Sequence, residues 1–269
     1  MLNRNRTLFF CLFLSCAVLA SALTMRRAGN KALTATSSSV DRLSDFPKVI
    51  LWAWERPEDL RMINPREVAV AFLARTLYLR DEKVIARPRF QPLSVAAGTR
   101  LIAVVRIESD RARQPRLSPE QRTSTVAAIN EVARDEAIAA IQIDFDARQS
   151  ERDFYRRMLS DLRSEMPPRV RLSITALASW CIHDDWLTTL PVDEAVPMLF
   201  RMGADRPQIV QHLKSGGVFS PALCRHSLGI SLDEPLPAMP SGRRVYVFNP
   251  RSWSQEDVRK IVEEINRWQ

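Results

Sequence analysis

From Phe46 onward the sequence alternates apolar strands with helical segments, and this alternation limits the fold more than any other feature. "KVILWAWER" opens the series as a strand. A short helical stretch is expected around "REVAVAFLA", then strand, turn and strand in "TLYLRDEKVIARPRFQPL". "TRLIAVVRIES" is the next strand. "SPEQRTSTVAAINEVARDE" reads as a helix capped by Ser118, with Pro119 at its first position. Strand and helix then follow in turn: "IAAIQIDFDA" and "SERDFYRRMLSDLRSEM", "RVRLSITALASW" and "DDWLTTL", "EAVPMLFRM" and "PQIVQHLKSG". The strands "HSLGISLDE" and "RRVYVFN" and the helix "SQEDVRKIVEEINRW" complete the chain. Near-continuous apolar strands belong to parallel sheets buried on both faces. About eight strands over about 220 residues predict an α/β fold of the (β/α)8 TIM-like barrel type. An open doubly wound sheet is the alternative, but no strand leads into a GxGxxG or GxxxxGK turn.

Residues 1–45 stand apart from this pattern. "MLNRNRTLFFCLFLSCAVLASALT" has a basic start, an apolar run from Leu8 and the small-residue site Ala20-Ser21-Ala22, which reads as a signal peptide over residues 1–22. Residues 23–45 are small and polar and read as a linker, leaving 46–269 as the barrel domain. The expected location is therefore exported, periplasmic or extracellular. The alternative is an inner-membrane anchor, in which the apolar run is retained and the chain meets a membrane.

The full chain carries a net charge of +8. Its basic residues are scattered, so nucleic acid is not an expected partner, and a surface that tolerates anionic envelope polymers is the simpler reading. Outside the signal only Cys181 and Cys224 remain, a candidate disulfide in an oxidising compartment. Two arguments oppose each other here. Export favours the bond, whereas Cys181 follows the fifth strand and Cys224 precedes the seventh, at opposite ends of a barrel. With three histidines and no CxxC or HExxH spacing, neither a metal nor a cofactor is expected.

Barrel chemistry gathers at the carboxyl ends of the strands. Those ends carry Trp52, Trp54 and Glu55 on the first strand, Arg106 and Glu108 on the third, and Asp144 and Asp146 on the fourth. Trp180 follows the fifth strand, Arg201 ends the sixth, Asp233 and Glu234 end the seventh, and Asn249 ends the eighth. Residues two apart on a strand share a face, so Gln142, Asp144 and Asp146 project together, as do Arg106 and Glu108. Carboxylates on the fourth and seventh strands are expected to face each other across the mouth, the minimum equipment for glycoside hydrolysis. Tryptophan faces suit the apolar faces of sugar rings. The bland alternative is a structural ion-pair network with core tryptophans.

The blocks "VILWAWERPEDL", "IQIDFDAR", "ITALASWC", "LPVDEAVPMLFRMG" and "GISLDEPLP" resemble a bacterial domain family of unknown function placed among glycosidase-like TIM barrels. The resemblance spans about Phe46 to Asn249 and implies the barrel and a sugar-related role. Chitinase-like barrels, more distantly similar, carry DxxDxDxE on the fourth strand. With Asp144 and Asp146 at its second and third acids, Ile141 replaces the first acid and Arg148 the glutamate. On that register the proton donor is missing. Retaining glycosidases with acids on strands four and seven are a better match, although their Asn-Glu pair is absent.

The expectation is an exported, glycoside-hydrolase-like protein acting on an envelope or extracellular polysaccharide. Asp146 is the general acid, Glu234 the nucleophile or base, and Asp144 is held ionised by Arg106. The competing classes are a catalytically inactive carbohydrate-binding barrel and a membrane-tethered envelope scaffold.

Overall fold

A computed structural model describes residues 41–235 and 241–269. The signal-peptide reading, and the linker reading up to residue 40, lie outside the described residues. The strands are β1 (Val49–Ala53), β2 (Glu58–Leu60), β3 (Val68–Arg80), β4 (Lys83–Pro88), β5 (Leu93–Val95), β6 (Leu101–Ser109), β7 (Ile138–Asp144), β8 (Arg171–Leu177), β9 (Glu194–Met198), β10 (Ser227–Ser231) and β11 (Arg244–Phe248). Eight of them, β1, β3, β6, β7, β8, β9, β10 and β11, pair in parallel in that order, and β11 returns to β1 to close the barrel. The barrel reading of the sequence therefore holds.

The second barrel strand corrects one expectation. "REVAVAFLA" is not a helix; it enters β3, a 13-residue strand that folds back antiparallel onto β4. Val68 and Val70 point outward into the shell while Ala69 and Ala71 point into the barrel, both sets buried. That is the period-two pattern of a two-sided strand, which an alanine-rich run hides because alanine also suits a helix.

The helices are α1 (Pro119–Ala133), α2 (Arg152–Glu165), α3 (Ala178–His183), α4 (Arg206–Lys214) and α5 (Gln255–Trp268). Ser118 caps α1 as expected, its hydroxyl accepting from the Gln121 amide at 3.1 Å. The first two barrel strands are followed by loops and short strands instead of helices. A 690 Å³ hollow on the outer wall, between residues 62–68 and α5, marks that omission.

Two cores result. One lies between barrel and helices; the other fills the barrel with Leu43, Phe46, Ile50, Trp52, Ala69, Ala71, Ile102, Val104, Val196 and Tyr246 among others. Polar groups inside the barrel are joined by hydrogen bonds along its height. Trp52 Nε1 donates to Gln142 Oε1 at 2.9 Å, and Gln142 Nε2 donates to Ser173 Oγ at 3.2 Å. The Ser173 hydroxyl donates to Glu194 Oε1 at 3.2 Å, and the Tyr246 hydroxyl to the same oxygen at 2.6 Å. Arg244 donates to Glu194 Oε2 at 2.9 Å, to the Leu43 carbonyl at 2.8 Å and to Asp41 at 3.0 Å. Residues 41–46 thus plug the amino end of the barrel, and among the described residues the packing reaches back to Asp41, five residues before Phe46.

The two cysteines are bonded, with Cα atoms 6.0 Å apart. The segment before Cys224 makes this reachable: the Ser220 amide donates to the Cys181 carbonyl at 3.0 Å, which holds the two stretches side by side. Among the described residues no helix is long and apolar enough to cross a membrane.

Candidate functional site

At the carboxyl end of the barrel a 220 Å³ cavity opens to solvent, smaller than the pockets that hold drug-sized ligands. Its acidic side comes from β7. Asp144 ends the strand, and its Oδ1 accepts from the Thr175 hydroxyl of β8 at 2.8 Å. Asp146, one inward step further along, stands at the mouth and is exposed. The intervening Phe145 points into the shell, where its ring meets Tyr155 of α2 at 5.2 Å.

The opposite side is aromatic. Phe200 and Phe248 stack with centroids 5.7 Å apart, Trp54 meets Phe248 edge-on at 6.2 Å, and Trp52 lies beneath Phe200 at 6.2 Å. Arg201 follows β9 in a left-handed conformation (φ 51°), its guanidinium 5.1 Å from the Phe248 centroid. Gly229 makes room for the floor. A Cβ there would come within 3.0 Å of both Trp52 Cη2 and Met198 Sδ.

Burial pushes the Asp144 carboxyl above the usual carboxylate range. The Thr175 hydrogen bond opposes this, the charges of Asp146 and Glu108 add to it, and Arg106 works against it. The proton affinity of the Asp146 carboxyl is also raised, by partial desolvation against the cavity wall although the residue as a whole is exposed, with Arg106 opposing. Asp144 forms no salt bridge with Arg106. Arg106 pairs with Glu108 at 2.8 Å and lies 5.7 Å from the Trp54 centroid.

Of the residues anticipated from the sequence, Trp52, Trp54, Arg106, Asp144, Asp146 and Arg201 line this cavity. Glu108 lines an adjoining 250 Å³ groove that shares Arg106, Asp144 and Asp146 with it. The rest do not converge. Glu234 accepts from the Arg201 amide at 2.8 Å and forms a salt bridge with Arg206, so its carboxylate serves the loop. Asp233 is exposed and accepts from Ser231. Glu55 sits 3.8 Å from Arg87 outside the cavity. Asn249 is buried; its side chain accepts from the Arg251 amide at 3.0 Å and its carbonyl from Arg56 at 2.5 Å. Trp180 is 5% exposed in the shell, 5.0 Å from the Trp186 ring, because α3 begins directly after β8 and turns it away from the mouth.

Gln142, which shares the face of the two aspartates, also lines it, and Val104, Thr175, Leu177, Met198, Phe200 and Phe248, which are not among the residues anticipated, complete the lining. Their signal was the same alternation that exposed the aspartates. It passes unnoticed in apolar residues because they look like core. Among the described residues no group of acids, histidines and cysteines is placed to hold a metal ion.

The closed parallel sheet with its cavity at the carboxyl ends of the strands defines a (β/α)8 barrel. Within that class, the model of a family described as a domain of unknown function (DUF3142) matches residues 97–200, the stretch from the third to the sixth barrel strand. A GH18 chitinase from Pseudoalteromonas aurantia superposes with a TM-score of 0.51 at 11% identity, covering 81% of this chain and 99% of that one. A Streptomyces coelicolor protein provisionally assigned as chitinase A superposes at 0.53 with 9% identity, covering 81% and 97%. The spore cortex-lytic enzyme SleL of Bacillus cereus gives 0.47 at 18% identity over 68% of this chain, which spans only 50% of that enzyme's length. At these identities the likeness is one of fold. No curated protein matches the chain.

Proposed function

We propose that the protein is an exported glycoside hydrolase of an envelope or extracellular polysaccharide, with Asp146 as the proton donor and Asp144 as its half-buried partner. The observation that carries this reading is one cavity in which two carboxyls with raised proton affinity face a wall of aromatic rings. A carboxyl that stays protonated toward neutral pH can donate to a departing glycosidic oxygen. Flat apolar ring faces are what a pyranose presents to Trp54 and Phe248.

Depth in the barrel supports a different register for the fourth-strand motif. Its final acid must face the cavity, yet Arg148 does not line it and Asp146 does. Moving the motif back by one inward step puts Gln142, Asp144 and Asp146 at its last three acidic positions. Asp146 then stands at the donor's place, with a side chain one methylene shorter than glutamate. Since Glu234 is engaged by Arg206, the second carboxylate of ordinary retaining hydrolysis is not offered to the cavity. The nucleophile in this reading belongs to the substrate, as the 2-acetamido group does in substrate-assisted hydrolysis.

The second reading is a carbohydrate-binding barrel without turnover, favoured by that same lack of a facing acid. A polysaccharide panel with the wild type and Asp146→Asn separates the two. Turnover lost in the variant with binding retained supports the enzyme; binding by both proteins with turnover by neither supports the binding module.

A further inference from the structure

The cavity and its adjoining groove share Arg106, Asp144 and Asp146, so together they form one cleft that passes over the acids. Arg201 lines one side of that shared centre; Arg111 and Arg148 line the other. All three are exposed, and no described carboxylate forms an ion pair with any of them. Residues 1–40 and 236–240, which complete the chain, contain no aspartate or glutamate to supply one. The neighbouring acids are otherwise engaged: Glu108 with Arg106, Glu234 with Arg206, and Glu151 with the Arg148 backbone amide at 2.7 Å. Arg201 is further held by its own backbone, whose amide donates to Glu234.

We infer that the glycan taken by this cleft is acidic, with fixed anions on sugars to either side of the cleavage point received by Arg201 and by Arg111 with Arg148. The inference rests on the reading of the site as a polysaccharide site and names its substrate class. A neutral sugar has no use for three guanidiniums without acid partners, whereas a carboxylate or phosphate accepts two parallel N–H bonds from each. Carboxylate and phosphate share this chemistry, and the experiment distinguishes them.

The test is binding of the full chain to an array of oligosaccharides on several backbones. Each backbone is present as its uronate form, its carboxyl-reduced form and, where available, a phosphate-substituted form. The expected result is a preference of about tenfold or more for acidic over reduced forms, falling as salt rises. Arg201→Gln and the double variant Arg111→Gln/Arg148→Gln should each erode that preference, weakening the acidic forms more than the reduced forms. Preference for phosphate over carboxylate forms identifies phosphate as the anion. Equal binding of acidic and reduced forms, or a preference untouched by both variants, overturns the inference and leaves the polysaccharide reading standing. Binding to no oligosaccharide overturns both.

Discussion

Asp144 and Asp146 are two residues apart on one strand, yet their surroundings divide their tasks. Asp146, at the mouth, can reach a substrate; replacing it with asparagine should lower turnover by about 10²–10⁴-fold while leaving binding within a few fold, as read from kcat and from ligand titration of the same variant. Asp144 sits deeper, with Thr175 donating to it. Its folded-state proton affinity is raised, so its contribution to stability is fully present below the ordinary carboxylate range and is lost as pH rises through the raised value. Asp144→Asn, which keeps an oxygen for Thr175, should therefore stabilise the protein at pH 7 by about 1 kcal/mol. The gain should vanish in acid, and thermal melts at the two pH values check both halves. This pair was legible in the sequence because period-two spacing at a strand end is visible without knowing any partner. The engagement of Glu234 was not legible. Its partner Arg206 lies 28 residues away at the start of α4, and no local pattern reports such a pairing.

At the scale of elements, the least legible feature is the buried acid of β9. Glu194 is fully buried within the block "PVDEAVPMLFRMG", and it is shared by the Arg244 guanidinium, the Tyr246 hydroxyl and the Ser173 hydroxyl. Strand periodicity places it inward, but only the barrel's closure brings β11 and β8 to it. Removing one partner of a buried charge pair leaves the other uncompensated, at a cost of about 3–5 kcal/mol. Arg244→Leu should therefore destabilise by that amount in urea titration. The paired change Arg244→Leu/Glu194→Leu should recover a large part of it. Elsewhere the helices followed their local signals, since the Ser118 cap and the amphipathic α2 and α5 depend on neighbours within a turn. "REVAVAFLA" did not, because its helical propensity yielded to pairing with β1 and β6 on either side.

For the molecule as a whole, the disulfide and the amino-terminal plug act on different parts of the barrel wall. The Cys181–Cys224 bond closes a loop of 43 residues, for which the chain-entropy model gives roughly 4 kcal/mol. Reduction, or the Cys181→Ser/Cys224→Ser pair, should lower the melting temperature measurably while the mouth keeps its ligand affinity, because neither cysteine lines the cavity. The plug has a separate consequence. Since Asp41 and the Leu43 carbonyl both receive Arg244, the shortest chain that folds well is defined by an arginine more than 200 positions away. Any processing that ends upstream of Asp41 keeps those two acceptors. A trim of only six further residues would strip the innermost guanidinium of two of its three partners and open the barrel's base to water.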